Sequence, residues 1–152
     1  PGDYALKDDD GYLWLLGRAD DVLKIAGHRL GTAELESCIV SDEHVSESAV
    51  CGIPDDIKGE SIIAFVVLKD GIVIDESILE KNIFNKIRID IGPIATPKKI
   101  YFVKKLPKTR SGKIMRRLLK SIANGENIGD TSTLDDESAV TEIQKIVNST
   151  LN

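Results

Sequence analysis

Glu-Ser-Ile-Ile-Ala-Phe-Val-Val-Leu, residues 60–68, decides how the rest of the chain must fold. From Ile62 to Leu68 it is unbroken apolar sequence, dominated by β-branched and aromatic residues and too short for a buried helix. Successive side chains of a strand point to opposite faces, so an unbroken apolar run describes a strand buried on both. Upstream, Glu-Ser-Ala-Val-Cys-Gly-Ile (47–53) reads as its strand partner, with Pro54-Asp55-Asp56 turning between them. Downstream, Ile78, Leu79, Ile83, Ile87 and Ile91 recur at helical spacing until Gly92-Pro93 stops the helix. Ile100-Tyr101-Phe102-Val103 is a third strand, 106–112 a loop, and 113–123 a helix with Ile114, Leu118 and Ile122 inward and Asn124-Gly125 at its end.

Towards the N-terminus, 12–16 reads as a short strand or hairpin arm, interrupted at Gly17-Arg18-Ala19-Asp20-Asp21. Residues 22–25 and 28–30 flank Ala26-Gly27 as a tight two-stranded turn. Thr32 is the expected N-cap of a helix with Leu35, Ile39 and Val40 on one face. Residues 125–137 form a polar, acidic linker, and 138–151 a weakly amphipathic helix around Val140, Ile143 and Val147. There is no internal repeat. The expected class is α+β: a small mixed or antiparallel sheet of about three strands with packed helices, plus an N-terminal β-hairpin.

Composition bounds the function. With 152 residues, 41% hydrophobic and 30% charged, the chain can bury a real core, which excludes collagenous, mucin-like and disulfide-stapled classes. Cys38 and Cys51 have no C-x-x-C partner and lie far from His28 and His44 in metal-ligand spacing, so they read as buried hydrophobes and no metal site is expected. No apolar run approaches the ~20 residues that cross a bilayer, and no basic-then-apolar leader is visible. A reducing, cytoplasmic setting is expected, with nucleus and mitochondrion left open. Pro1-Gly2-Asp3-Tyr4 begins without methionine, in keeping with a piece of a longer chain.

The net charge of −5 hides segregation, because ten of the 20 Lys and Arg fall within 98–120, a stretch without any acid. Its centre, Leu-Pro-Lys-Thr-Arg-Ser-Gly-Lys-Ile-Met-Arg-Arg (106–117), runs a glycine- and hydroxyl-bearing loop into an expected helix start. Cations there oppose the positive end of the helix dipole unless an anion docks, and phosphate or carboxylate is the natural visitor. A solvated basic face is the plain alternative. A Walker A loop is excluded, since Ile114 stands where Ser or Thr is required and no glycine lies five positions before Gly112.

Two stretches read together carry more. Gly-Arg-Ala-Asp-Asp (17–21) followed by Gly-His-Arg-Leu-Gly-Thr-Ala-Glu (27–34), and the 106–117 stretch, resemble signature motifs of the adenylate-forming enzymes, most closely the AMP-forming acetyl-coenzyme A synthetases. Ile-Gly-Pro-Ile-Ala-Thr-Pro (91–97) and Gly-Asp-Thr-Ser-Thr-Leu (129–134) look like the same branch. The resemblance implies a two-step reaction, in which acetate and ATP give acetyl-AMP and pyrophosphate, and CoA then displaces AMP.

It further implies the end of a large N-terminal domain and the hinge approach at 1–19, a mobile catalytic domain at 20–125, and a linker with C-terminal helix at 126–152. By the same resemblance Lys113 is the catalytic lysine of adenylation and a target for a lysine acetyltransferase and deacetylase. Asp3, Arg18 and Arg29 would bind ATP or AMP, Asp20 would be the hinge, Gly27 would line the pantetheine path and Arg88 would meet the CoA nucleotide phosphate. Ala26 stands where this branch often has serine, so a hydroxyl contact to CoA would be missing. ATP and CoA would be substrates, with Mg2+ at a phosphate site in the N-terminal domain.

The contrasting reading is a phosphate- or nucleic-acid-binding module built on 98–120. Only Tyr101 and Phe102 are aromatic there, and adjacent strand residues face opposite ways, which makes a poor stacking platform.

Overall fold

The computed structural model describes residues 3–7, 13–18, 22–129, 131–132 and 134–151. Two strands, β1 (Asp3–Lys7) and β2 (Leu13–Arg18), form an antiparallel hairpin. The main sheet has five strands: β3 (Val22–Ile25), β4 (His28–Gly31), β5 (Val45–Asp55), β6 (Gly59–Leu68) and β7 (Lys99–Phe102). Its order is β4-β3-β6-β5, with β7 running parallel to β6 and the other pairs antiparallel. The sheet is thus mixed, as expected. It holds five strands where about three were expected, because the 22–31 hairpin joins it through Ile25 opposite Gly59. That junction is fastened by the Ala26 N–H donating to the Lys58 carbonyl at 2.7 Å.

Four α-helices flank the sheet: α1 (Thr32–Val40), α2 (Glu76–Asp90), α3 (Arg116–Ala123) and α4 (Glu137–Leu151). Strand β6 explains why both faces need cover. Ile62, Ala64 and Val66 join one core with Leu35 and Ile39 of α1 and Leu79, Ile83 and Ile87 of α2. Ile63, Phe65 and Val67 join a second core with Leu118, Leu119 and Ile122 of α3 and Val140, Ile143 and Val147 of α4. The period of two, read on a continuous apolar run, therefore sorts the helices into two layers.

Local chemistry sets the boundaries. Asp75 caps α2 by accepting the Ser77 N–H at 2.8 Å, and Arg88 sits favourably in its last turn. Gly31, not Thr32, is the N-cap of α1, and Thr32 is the first helical residue. Ile78 is 55% exposed instead of inward, since Leu79 takes the core position one residue on. The lysine-rich helix begins at Arg116, not at residue 113. Ahead of it, Lys108 bridges Ile114 and the Met115 N–H donates to the Pro107 carbonyl, so the chain is busy with a small hairpin there. The acidic segment before α4 is tied to the domain by Leu134, buried in the second core and bridged to Thr109.

The turn between β5 and β6 is organised by Asp55, whose carboxylate accepts the Ser61 hydroxyl at 2.6 Å and the Lys58 and Ile57 N–H groups at 2.9 Å. These bonds favour the ionised form and hold the carboxyl at about 2, below its ordinary 3.8. A depressed folded-state pKa stabilises above the unfolded value and loses that stabilisation as pH falls through the window between the two. Urea titration at about pH 5 and about pH 2.5 should therefore show the stability gap between wild type and Asp55→Asn closing at the lower pH.

Candidate functional site

The two stretches singled out in the sequence sit at opposite ends of the β5–β6 pair. At one end, Ala26 and Gly27 make the two-residue turn of the β3–β4 hairpin, with Ile25 opposite His28. Both have positive φ, +50° and +83°, as a type I′ turn demands. Ala26 is the one non-glycine with positive φ among the described residues. A Cβ added at Gly27 would meet nothing within 4 Å, so this chain leaves open the space beside the turn. Arg29 is exposed and pairs in register with Lys24.

At the other end lies the loop carrying Lys113. Lys108 forms an ion pair with Glu47, and Glu47 is opposite Val67, near the far end of β6 from Gly59. At ~3.3 Å per strand residue, the eight steps from Gly59 to Val67 separate the two anchor points by roughly 25 Å. Within the loop, the Thr109 N–H donates to the Lys113 carbonyl at 2.8 Å and the Gly112 N–H to the Thr109 carbonyl at 2.9 Å. Gly112 takes φ +89°, closing the turn. Lys113 is exposed, and its ammonium has no ion pair or hydrogen bond among the described residues.

Most neighbouring cations whose contacts are described are committed. Lys105 meets Asp136 at 3.0 Å, which raises the ammonium's pKa through the hydrogen bond and the carboxylate's charge, while the Ser138 hydroxyl first and Lys105 second hold Asp136 down at about 2. Arg116 meets Glu36 through Nε at 2.7 Å and Nη2 at 2.6 Å. Glu36 is 8% exposed and also accepts the Val50 N–H at 3.2 Å. The arginine placed against the helix dipole thus has an internal carboxylate and is not waiting for an outside anion. Helical spacing puts Glu36 early in α1 as one of four acids in 34–43, and gives no sign of its partner. Only the tertiary fold brings it to Arg116.

Between β3 and α3 lies a cleft of about 380 Å³ lined by Lys24, Glu60, Arg116, Arg117 and Lys120 over an apolar floor including Leu23 and Val50. The structure does not bring all the expected site residues together. Asp3 and Arg18 are cross-strand partners in the β1–β2 hairpin. Arg88 is exposed near the end of α2, and Asp20 lies outside the described residues. No three His, Cys, Asp or Glu cluster closely enough to hold a metal among the described residues.

The family described as AMP-binding enzyme C-terminal domain matches residues 34–113. The chain belongs to that family. It is 62% identical over 144 residues to an acetyl-coenzyme A synthetase of Pyrobaculum arsenaticum, covering 95% of this chain and 21% of the relative. It is also 53% identical over 147 residues to a 3-hydroxypropionyl-coenzyme A synthetase of Metallosphaera sedula, covering 97% and 22% respectively. Among solved structures it resembles an anthranilate CoA ligase in complex with anthranoyl-AMP, with TM-score 0.70 and 37% identity over 81% of this chain and 24% of that one. The chain therefore spans about a fifth of the length of these curated relatives. The family match takes in 98–113, most of the basic stretch, and the nucleic-acid alternative finds no support. Tyr101 is buried and stacked on Phe65 with ring centroids 5.5 Å apart, and Phe102 packs against the other core. No described helix is long and apolar enough to cross a membrane.

Two predictions follow from this geometry. Glu36→Ala leaves Arg116 without its carboxylate and Val50 without an acceptor, and should lower the unfolding free energy by about 1–3 kcal/mol in urea titration. Burial pushes the Cys51 thiol up to about 12. A disulfide reagent at about pH 8 should leave Cys51 untouched in the folded chain and modify it once urea unfolds the protein, as mass spectrometry of the labelled peptides would show.

Proposed function

We propose that this chain is the mobile C-terminal catalytic domain of an acetate–CoA ligase that joins ATP, acetate and CoA into AMP, pyrophosphate and acetyl-CoA through acetyl-AMP. The observation that carries the reading is the opposite placement of the Lys113 loop and the Gly27 turn along one rigid sheet. One domain holding the two so far apart cannot present both to one reacting carbonyl. It must turn between the half-reactions, with Asp20 as the pivot, 1–19 as the approach from the large N-terminal domain, 20–125 as the moving body and 126–152 as its acidic linker and closing helix.

In the first half-reaction the Lys113 ammonium neutralises negative charge shared between the acyl carboxylate and the α-phosphate. Its freedom from internal carboxylates keeps that charge available. Asp3, with two acceptor oxygens, takes the ribose hydroxyls, while Arg18 and Arg29 supply guanidinium forks to nucleotide oxygens. In the second half-reaction the bare Gly27 turn borders the pantetheine path, where a side chain would stand in the thiol's way, and Arg88 meets the CoA phosphate. Mg2+ accompanies ATP at a phosphate site supplied by the N-terminal domain. Acetate is assigned from the Pyrobaculum relative; the residues that sort acyl groups lie in the N-terminal domain.

Acetylation of Lys113 by a lysine acetyltransferase would remove the adenylation charge, and a deacetylase would restore it. The setting we assign is the cytoplasm. The test uses the full-length parent with Lys113→Ala. Acetate-dependent ATP–pyrophosphate exchange should fall about 10²–10³-fold, while CoA thioester formation from supplied acetyl-AMP stays close to wild type. Equal exchange by both proteins would overturn the reading.

A further inference from the structure

The loop that carries Lys113 has a fixed limb and a free tip, and one side chain connects them. The fixed limb is held from two sides. Lys108 pairs with Glu47 of β5, and its carbonyl accepts the Asp135 N–H at 2.9 Å. Thr109 bridges Leu134, which is 6% exposed and packed into the second core beside α3 and α4. Lys105, at the start of the limb, is held by Asp136 at 3.0 Å. Beyond Thr109, residues Arg110, Ser111, Gly112 and Lys113 are all exposed.

Thr109 is the hub between the two. Its N–H donates to the Lys113 carbonyl at 2.8 Å, its carbonyl accepts the Gly112 N–H at 2.9 Å, and its Oγ1 accepts the Lys113 N–H at 3.2 Å while sharing a hydrogen bond with Ser111 Oγ at 2.9 Å. The first two contacts use backbone that any residue supplies. The third needs a hydroxyl on residue 109. The Thr109 carbonyl thus serves Gly112 and the Thr109 side-chain oxygen serves the Lys113 amide.

We propose that the Thr109 hydroxyl is a positioning group for Lys113, acting with the 134–136 segment that anchors its limb. It fixes the Cα of Lys113, and hence where a four-carbon side chain can deliver its ammonium. This rests on Lys113 being the adenylation lysine. The hydroxyl never touches the reacting atoms; it narrows the volume that the ammonium explores, and a displacement of about 1 Å at such a group can change a rate by up to about 10²-fold. Valine has threonine's shape without the acceptor, and serine keeps the acceptor.

The test compares wild type, Thr109→Val, Thr109→Ser, Lys113→Ala and the Thr109→Val/Lys113→Ala double variant in the full-length parent. The readouts are acetate-dependent ATP–pyrophosphate exchange, thioester formation from supplied acetyl-AMP, and the thermal midpoint. Expected are an exchange rate lowered about tenfold in Thr109→Val, near-wild-type exchange in Thr109→Ser, unchanged thioester formation in both, and no further loss when Thr109→Val is added to Lys113→Ala. A purely structural role would slow both half-reactions, lower the midpoint and add to the Lys113→Ala loss; that pattern overturns the proposal. Lys113→Ala losing exchange while Thr109→Val matches wild type would overturn the positioning role alone. Full exchange in Lys113→Ala would overturn both the role and the reading beneath it.

Discussion

A buried carboxylate at the free edge of β5 holds the two helical layers in register. Glu36 belongs to α1, on one side of the sheet, and Arg116 opens α3, on the other. The Glu36 carboxylate takes both a guanidinium fork and the Val50 amide of β5, so three elements meet at one side chain. An unpaired arginine in the first turn of a helix would oppose the dipole, and an unpaired glutamate at that depth would carry a desolvation cost. Together each removes the other's penalty. The start of α3 is thereby fixed, and with it the loop that ends one residue earlier.

The central strand determines what that loop can do. Because β6 is apolar on both faces, the domain is a sheet between two helical layers, and its polar functions are pushed to the ends of the strands. One end receives the Ala26-Gly27 turn through the Lys58 carbonyl, and the other receives the lysine loop through Glu47 and Lys108. A body of this kind is stiff along the strand direction, since its ten-residue β5–β6 ladder is continuous apart from one irregularity near Val45. Stiffness is what the proposed rotation would need, because a turn at one hinge would then reach both ends without being absorbed between them.

The parts legible in the sequence were those governed by local rules. The 62–68 run, the Ala26-Gly27 turn, the stop at Gly92-Pro93 and the apolar positions Val140, Ile143 and Val147 all follow from periodicity or backbone freedom. The readings that shifted were governed by contacts made over long separations. The helix expected from residue 113 starts at Arg116 because Thr109 and Lys108 claim the backbone groups of Lys113 and Ile114. The sheet gained strands because a one-residue contact between Ile25 and Gly59 docks a hairpin that looks self-sufficient. Lys113 was found by resemblance to a motif. Its being the tip of a pinned loop was not visible in that motif, since Leu134, Asp135 and Asp136 lie more than a score of residues away.

The charge pattern makes the same point more sharply. As a sequence, 98–120 is a block of cations with no acid and invites an anionic partner along its whole length. In the fold, Lys105 finds Asp136 across 31 residues, Lys108 finds Glu47 across 61 and Arg116 finds Glu36 across 80. The acids were never missing; they were stored elsewhere in the chain. Pairing turns several of these cations into structural fastening and interrupts the field along the stretch. What survives is local: an ammonium on an exposed turn whose backbone is held, with Lys108 and Arg116 on either side of it paired to carboxylates. A single placed charge suits a reaction that develops its own charge at one point, whereas an unpaired basic stripe would suit a phosphate backbone.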